Sequence, residues 1–384
     1  MRVLILSVTA GFGHHATAKA VADMLRQKGA TVETVDVYAY ISKIVKETID
    51  KGYLFTSKHT QELYRLVYLL AENHGSGYFS TPLSIINVVN ALGASKFARV
   101  VNDFEPDAIV CTHIFAAQLV NDLKKRDLLT APTVGIITDY TLHPYWEEVP
   151  RIEYIVTASE LLTHRAVKKG IEAARILPFG IPIHPKFNVP LSQDDARERL
   201  GIDPESPTIL MMGGSMGYSD NRKLIHQLNL CGIPFQLLVV CGNNKKQYQE
   251  MLRIAEQPEG PCTIFPYGFV TNVEEMMSAA DCIITKPGGL TVSEALAKNL
   301  PMILVNPIPG HEERNVEFLM NNGMACLVTK TFPVDEAVYH LFKNPRRLRT
   351  VRETMHAVAH PDATERLCEF ILHQLVPAAA KADA

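Results

Sequence analysis

The sequence predicts an α/β protein built from two Rossmann-like, doubly wound domains that face a central cleft. Three observations lead there. Short apolar runs alternate with helical patterns, the signature of parallel strands buried on both faces with helices returning the chain. That rhythm fills the first half, halts at a proline-rich stretch between Pro178 and Pro190, and restarts in the second half. At 384 residues the chain also exceeds the size at which one core stops growing, so two domains of roughly 180 residues are expected.

In the first half the apolar runs fall at 3–6, 32–37, 108–111, 134–137, 154–156 and 175–177. After the first run come Ser7 to Gly13, a glycine-bent turn, and an alanine-rich helical pattern, which puts His14 and His15 at a helix start. A histidine there is a candidate general base, because its ordinary pKa lies near neutrality, although a helix N-terminus disfavours the imidazolium. His14 is the first candidate, and a purely structural histidine is the alternative.

Residues 40 to about 100 are too long for a simple crossover. They carry Tyr53, Phe55, Lys58 and Arg65 among other aromatic and basic residues. Basic residues beside aromatics suit a helix lying in an anionic membrane interface, and a helical hairpin packed on the domain is the plainer alternative. Asp139 and the run His143-Pro144-Tyr145-Trp146 follow the fourth apolar run. Proline keeps that loop out of an α-helix. Its aromatics are expected either exposed, against a lipid headgroup or sugar face, or packed beneath the loop.

The second half places runs at 208–212, 236–240, 263–265, 282–284, 303–305 and 326–328. Gly213-Gly214-Ser215 ends the first of them, and Lys286-Pro287-Gly288-Gly289-Leu290 follows the fourth before another helix. Paired glycines allow close backbone approach, and a helix N-terminus aims free N–H groups at an anion, so a pyrophosphate fits. Neither loop has the G-x-G-x-x-G or G-x-x-x-x-G-K-[ST] spacing, which favours a nucleotide sugar over hydride or phosphoryl transfer. Thr291 to Glu294 fits a capping box, with a ribose-hydroxyl acceptor as the competing role for Glu294. Glu312 and Asn315 open the helix after Pro309-Gly310, where they suit sugar hydroxyls or simply complement the helix dipole.

Composition narrows the function further. A hydrophobic fraction of 47%, a charged fraction of 21% and a formal net charge of −3 are those of a globular protein and argue against nucleic acid as a partner. The seven cysteines are scattered without a Cys-x-x-Cys pair, so neither a disulfide framework nor a zinc site is expected. The first strand begins without a leader pattern, and no run reaches the ~18 apolar residues of a membrane span. The expected location is cytoplasmic.

Taken together, the motifs resemble those of GT-B fold lipid glycosyltransferases of family 28, the group of bacterial processive diacylglycerol glucosyltransferases and plant monogalactosyldiacylglycerol synthases. The resemblance spans nearly the whole chain. It rests on Gly11-x-Gly13-His14, Thr138-Asp139 with His143 and Trp146, Gly213-Gly214-Ser215, Gly268-Phe269-Val270, Lys286-Pro287-Gly288-Gly289 with Glu294, and Pro309-Gly310-x-Glu312-x-x-Asn315.

Carried over by position, the resemblance implies uracil contacts at Phe269 and Val270, and phosphate contacts at Ser215, Gly288, Gly289 and Leu290. Gly13 and Gly214 join the nucleotide-sugar site, Glu294 takes the ribose, and Glu312 and Asn315 face the donor sugar. His14 falls on the proposed general base and Asp139 on an acidic position near the acceptor. His143, Tyr145, Trp146 and the insertion's Tyr53, Phe55, Lys58 and Arg65 fall on the acceptor and membrane side. His311 departs from the glutamine common at its place, which leaves glucose and galactose both open as the sugar.

The activity so implied is inverting transfer of a hexose, glucose first, from UDP-hexose to diacylglycerol, giving a β-glycoside, with repeated transfer an open possibility. No cofactor or catalytic metal is expected, since no Asp-x-Asp triplet is present. Diacylglycerol and anionic lipids are the expected partners, at the inner face of the cell membrane as a peripheral, monotopic protein. The domains are expected at 1–183 and 184–384, the last helix packing back on the first. A transferase acting on a polyprenyl-linked peptidoglycan precursor and a UDP-sugar epimerase remain the alternatives.

Overall fold

The computed structural model describes residues 1–8, 12–37, 97–213, 221–257 and 260–375. The chain divides into two compact units. The first comprises 1–185, 309–311 and 362–384; the second comprises 186–308 and 312–361.

In the first unit, β1 (Arg2–Ser7), β2 (Thr31–Asp36), β3 (Ala108–Cys111), β4 (Thr133–Ile136), β5 (Tyr154–Val156) and β6 (Ile176–Leu177) form one sheet in the order β2-β1-β3-β4-β5-β6. Every pairing is parallel; Val3, for example, lies opposite Val32 on one side and Ala108 on the other. β3 and β4 are wholly buried, as helix-covered parallel strands must be. Its helices include α1 (Phe12–Gln27), α2 (Ile114–Lys125) and α3 (Thr163–Lys168). On one face Val3, Ile5, Val110 and Val134 pack with Val21 and Leu25 of α1 and with Leu367, Phe370 and Ile371 from the end of the chain.

The second unit repeats the plan with β7 (Thr208–Met212), β8 (Phe235–Val240), β9 (Cys262–Tyr267), β10 (Cys282–Thr285), β11 (Met302–Leu304) and β12 (Ala325–Leu327). Their order is β12-β11-β10-β7-β8-β9, again all parallel. Before, between and after them run α4 (Gln193–Leu200), α5 (Asn221–Leu228), α6 (Lys245–Glu256), α7 (Val273–Ala279), α8 (Gly289–Ala297), α9 (His311–Asn321), α10 (Val334–Phe342) and α11 (Pro345–Val358). The final helix, α12 (Ala363–Phe370), lies in the first unit; there Thr364 Oγ1 donates to the Ile183 carbonyl at 2.6 Å and Phe370 meets Tyr154 edge-on.

Strand order fixes where chemistry is possible. In each sheet the chain winds one way from its first strand and then reverses, leaving a switch point between β1 and β3 in one unit and between β7 and β10 in the other. Ligands of doubly wound sheets bind beyond the strand C-termini at such points. Both are tied by hydroxyls: Thr112 Oγ1 donates to Ser7 Oγ at 3.1 Å, and Thr285 Oγ1 donates to the Met212 carbonyl at 2.9 Å.

Candidate active site

At the first switch point His14 is the third residue of α1, half-buried, with Nδ1 2.8 Å from the Thr112 carbonyl and 3.0 Å from Thr138 Oγ1. A carbonyl can only accept, so Nδ1 carries the proton and the lone pair lies on Nε2. Among the described residues Nε2 makes no hydrogen bond. Burial lowers the imidazole's pKa below its ordinary value, and the Asp139 carboxylate acts in the opposite sense. A lone pair held neutral, with a carboxylate nearby to meet the charge it acquires, is the equipment of a general base.

Asp139 acts on His143 as well. His143 caps a short 3-10 turn: its Nδ1 accepts the Tyr145 N–H at 3.3 Å, and burial lowers its pKa to about 4. Trp146 takes the second of its two expected states, packed beneath the loop. It is not exposed but 4% accessible, because its ring lies over β4, where Gly135 has no side chain. A Cβ at Gly135 would stand 2.5 Å from Trp146 Cζ3. The tryptophan therefore shapes the loop from beneath, and half-buried Tyr145 is the aromatic on its accessible side.

The sequence reading missed His113. It follows β3 by two residues, caps α2 by accepting the Phe115 N–H on Nδ1 at 3.1 Å, and stands edge-on to His14. Its signal was legible in kind, since it too is a histidine between a strand's end and a helix.

The second switch point gathers the donor-side residues. α8 starts at Gly289 with Gly288 as its extended cap residue, and no side chain caps it. The capping box expected at Thr291 to Glu294 is not formed, because the helix begins before Thr291; Ser293 Oγ donates back to the Gly289 carbonyl at 2.9 Å. The first N–H groups of α8 are thus left without a side-chain acceptor. Glu294, released from capping, has neither a hydrogen bond nor an ion pair among the described residues. Burial, resisted by Lys186 and reinforced by Glu274, pushes its carboxyl up to about 8. Lys186 itself is engaged by Glu274 Oε2 at 2.6 Å and donates to the Thr271 carbonyl at 2.5 Å.

Glu312 and Asn315 enter α9 facing this loop. Glu312 Oε2 accepts the Ile308 N–H at 2.6 Å, and its Oε1 would lie 3.8 Å from a Cβ at Gly288. Asn315 is wholly buried and donates to the Pro287 carbonyl. Its amide nitrogen ties α9 to that loop. Phe269 is 66% exposed, an unusual state for a large aromatic, at the end of β9 beside half-buried Val270.

Comparison with known proteins accounts for both halves. Residues 14–183 match the monogalactosyldiacylglycerol (MGDG) synthase family model, and 208–367 match the glycosyltransferase family 28 C-terminal domain. The chain carries a family 28 glycosyltransferase C-terminal domain. The processive diacylglycerol beta-glucosyltransferase of Bacillus cytotoxicus is 28% identical over 376 residues, covering 97% of this chain and 94% of the relative. That of Bacillus pumilus is 26% identical over 375 residues, covering 97% and 95%. The crystal structure of Acinetobacter baumannii MurG aligns with a TM-score of 0.65 at 18% identity, over 97% of this chain and 99% of that one. At that identity the likeness speaks to the fold, which is GT-B.

For this glycosyltransferase the expected residues separate by place. His14, Asp139 and His143 come together in the first unit; Gly288, Gly289, Leu290, Glu294, Glu312 and Asn315 surround one loop in the second. Gly13 precedes His14 in the first turn of α1. Gly214, Ser215, Tyr53, Phe55, Lys58 and Arg65 lie outside the described residues.

Proposed function

We propose that this chain transfers a hexose, glucose first, from UDP-hexose to diacylglycerol with inversion, giving a β-glycosyldiacylglycerol. The observation that carries the reading is His14, with Nδ1–H held by the Thr112 carbonyl and Nε2 left as the lone pair. Nε2 takes the proton of the lipid's free hydroxyl as its oxygen forms the new bond to the anomeric carbon. The bond to the UDP oxygen breaks on the opposite face of the sugar, which inverts the configuration. Asp139 supports the imidazolium that results.

On the donor side the departing diphosphate is assigned to the free N–H groups that open α8, whose dipole end favours negative charge. Exposed Phe269 is assigned to the uracil face and Glu294 to the ribose hydroxyls. Glu312 and Asn315 are assigned to the end of the site that holds the sugar, partly through the loop they anchor. No helix among the described residues is long and apolar enough to cross a membrane. Contact with anionic lipids at the inner face of the membrane is assigned to the segment 40–100.

The test is direct. Purified protein is incubated with labelled UDP-glucose, or UDP-galactose in parallel, and with diacylglycerol in anionic liposomes, and the lipid extract is resolved by thin-layer chromatography. A labelled lipid band is expected with one donor, and a ladder of bands marks repeated transfer. Label confined to water-soluble products with both donors overturns the acceptor assignment.

A further inference from the structure

Within the first unit, two histidine rings meet at the β1–β3 switch point with their hydrogen bonding arranged in opposite senses. His14 is held through Nδ1 by a carbonyl, so its Nδ1 is a donor and Nε2 the base. His113 is held through Nδ1 by the Phe115 N–H, so its Nδ1 is an acceptor and the proton lies on Nε2. Protonating His113 on Nδ1 requires the loss of the α2 cap. The ring centroids are 4.5 Å apart and the planes meet at 81°, the edge-to-face arrangement aromatic rings prefer. Phe115 closes on the far side of His113 at 4.9 Å.

We propose that His113 is a positioning residue for His14: its ring, kept neutral by the helix cap it makes, walls the base off from water and leaves His14 alone to hold the transferred proton. Burial is the largest influence lowering the pKa of both histidines, and His113 lies well below the ordinary value. A protonated neighbour at this distance would oppose the imidazolium that catalysis forms, whereas a capped, neutral one does not. The other titratable groups around the pair are His15, next to His14 in the chain, Asp139 beyond β4, His143, which acts on His113, and His311, grouped with the first unit. None of these packs its ring edge-on to His14. The proposal rests on His14 acting as the base, and its test is read from His14 itself without turnover.

The experiment is a pH titration of the full chain labelled with 15N-histidine, followed by NMR, on the wild type, His113→Asn and His113→Phe. Asparagine keeps a cap acceptor but removes the ring; phenylalanine keeps a ring but removes the cap. In the wild type His113 is expected to remain the neutral Nε2–H form at every pH at which His14 titrates. His113→Asn hydrates His14, so its titration moves up toward the ordinary histidine value, and the acidic limb of kcat/KM moves up with it. The KM for UDP-sugar stays within about twofold while kcat falls about tenfold, the effect of a loosened catalytic group. His113→Phe leaves the His14 titration where it was and lowers Tm. Protonation of wild-type His113 before His14, or a His14 titration unmoved in His113→Asn, overturns the proposal even if one variant fails to fold. Full turnover by His14→Ala would instead remove the base assignment, whatever the titrations show.

Discussion

The side-chain nitrogen of Asn315 donates to the Pro287 carbonyl at 2.9 Å, joining the body of α9 to the loop that opens α8. Glu312, one turn earlier, accepts the Ile308 N–H and so holds the other end of the same construction. Two residues that look like sugar ligands in the sequence are thus also the posts between which Gly288 and the amides of α8 are set. Fixed donors need no reorganisation when charge develops on a leaving group.

Asn315→Ala is therefore expected to weaken the donor site without touching the nucleotide. The Pro287 carbonyl loses its buried partner, a loss of about 1–3 kcal/mol in stability. UDP affinity should fall about tenfold, the equivalent of ~1.4 kcal/mol, as the loop loosens. Isothermal titration with UDP and a thermal melt check both; unchanged UDP binding beside a lowered Tm would mean that the tie serves the fold alone.

Glu294 predicts a proton linkage. Its folded pKa is raised to about 8 from an ordinary value near 4.5, so the folded chain holds a proton that the unfolded chain has released between those limits. Stability contributed by this group is consequently present at low pH and lost as pH rises from about 4.5 to 8. Glu294→Gln should match the wild type at pH 4 and exceed it at pH 8 in denaturant melts. If ribose hydroxyls donate to the carboxylate, UDP binding at pH 7 should release about one proton, and none at pH 9. Calorimetry in buffers of different ionisation enthalpy measures that release, and an absence of buffer dependence at pH 7 would remove Glu294 from the ribose.

The loop bearing Asp139 and His143 depends on a missing side chain. Gly135→Ala places a Cβ 2.5 Å from the Trp146 ring and should cost about 1–3 kcal/mol by overpacking. Because the clash is with the far edge of the indole, Gly135→Ala combined with Trp146→Leu should be less destabilised than the two single changes summed. Denaturant melts of the cycle measure the coupling; strict additivity would show that the ring moves aside freely.

These cases also mark what could be read in advance. Strands were legible because fully apolar stretches such as 108–111 and 282–284 have no other stable place than between helix layers. The loops following them were legible because glycine and histidine at strand ends are costly to explain by packing alone. The start of α8 was not. Thr291-x-x-Glu294 fits a capping box by spacing, and only the extended backbone of Gly288, with Ser293 bonded to Gly289, shows the helix already under way. Trp146 could not be placed from its neighbours in sequence, because what buries it is the bare backbone of Gly135 on β4. His113 was passed over because histidine is outside the usual set of helix caps, and its meaning comes from a ring 99 positions earlier in the chain, close to the 98-residue separation of the His14–Thr112 bond.

Asp139 gives the sharpest kinetic expectation, because it and burial pull His14 in opposite directions. Burial dominates and holds the imidazole below its ordinary pKa, so kcat/KM should stay high through neutrality and fall only on the acid side of the usual histidine range. The Asp139 carboxylate favours the imidazolium and raises that pKa. Asp139→Asn removes the opposing influence, so the acidic limb must move to lower pH. The same substitution removes the charge that meets the imidazolium in the transition state, so the plateau above the limb should fall, by about tenfold to a hundredfold within the range of a general base's contribution. A lower plateau and a limb displaced toward acid is a combination that simple unfolding of the site does not produce, and it is opposite in sign to the displacement expected of His113→Asn. The measurement is a pH profile of kcat/KM at saturating lipid; a limb that moves up, or stays in place while the plateau falls, would place Asp139 in contact with the acceptor rather than in the electrostatics of His14.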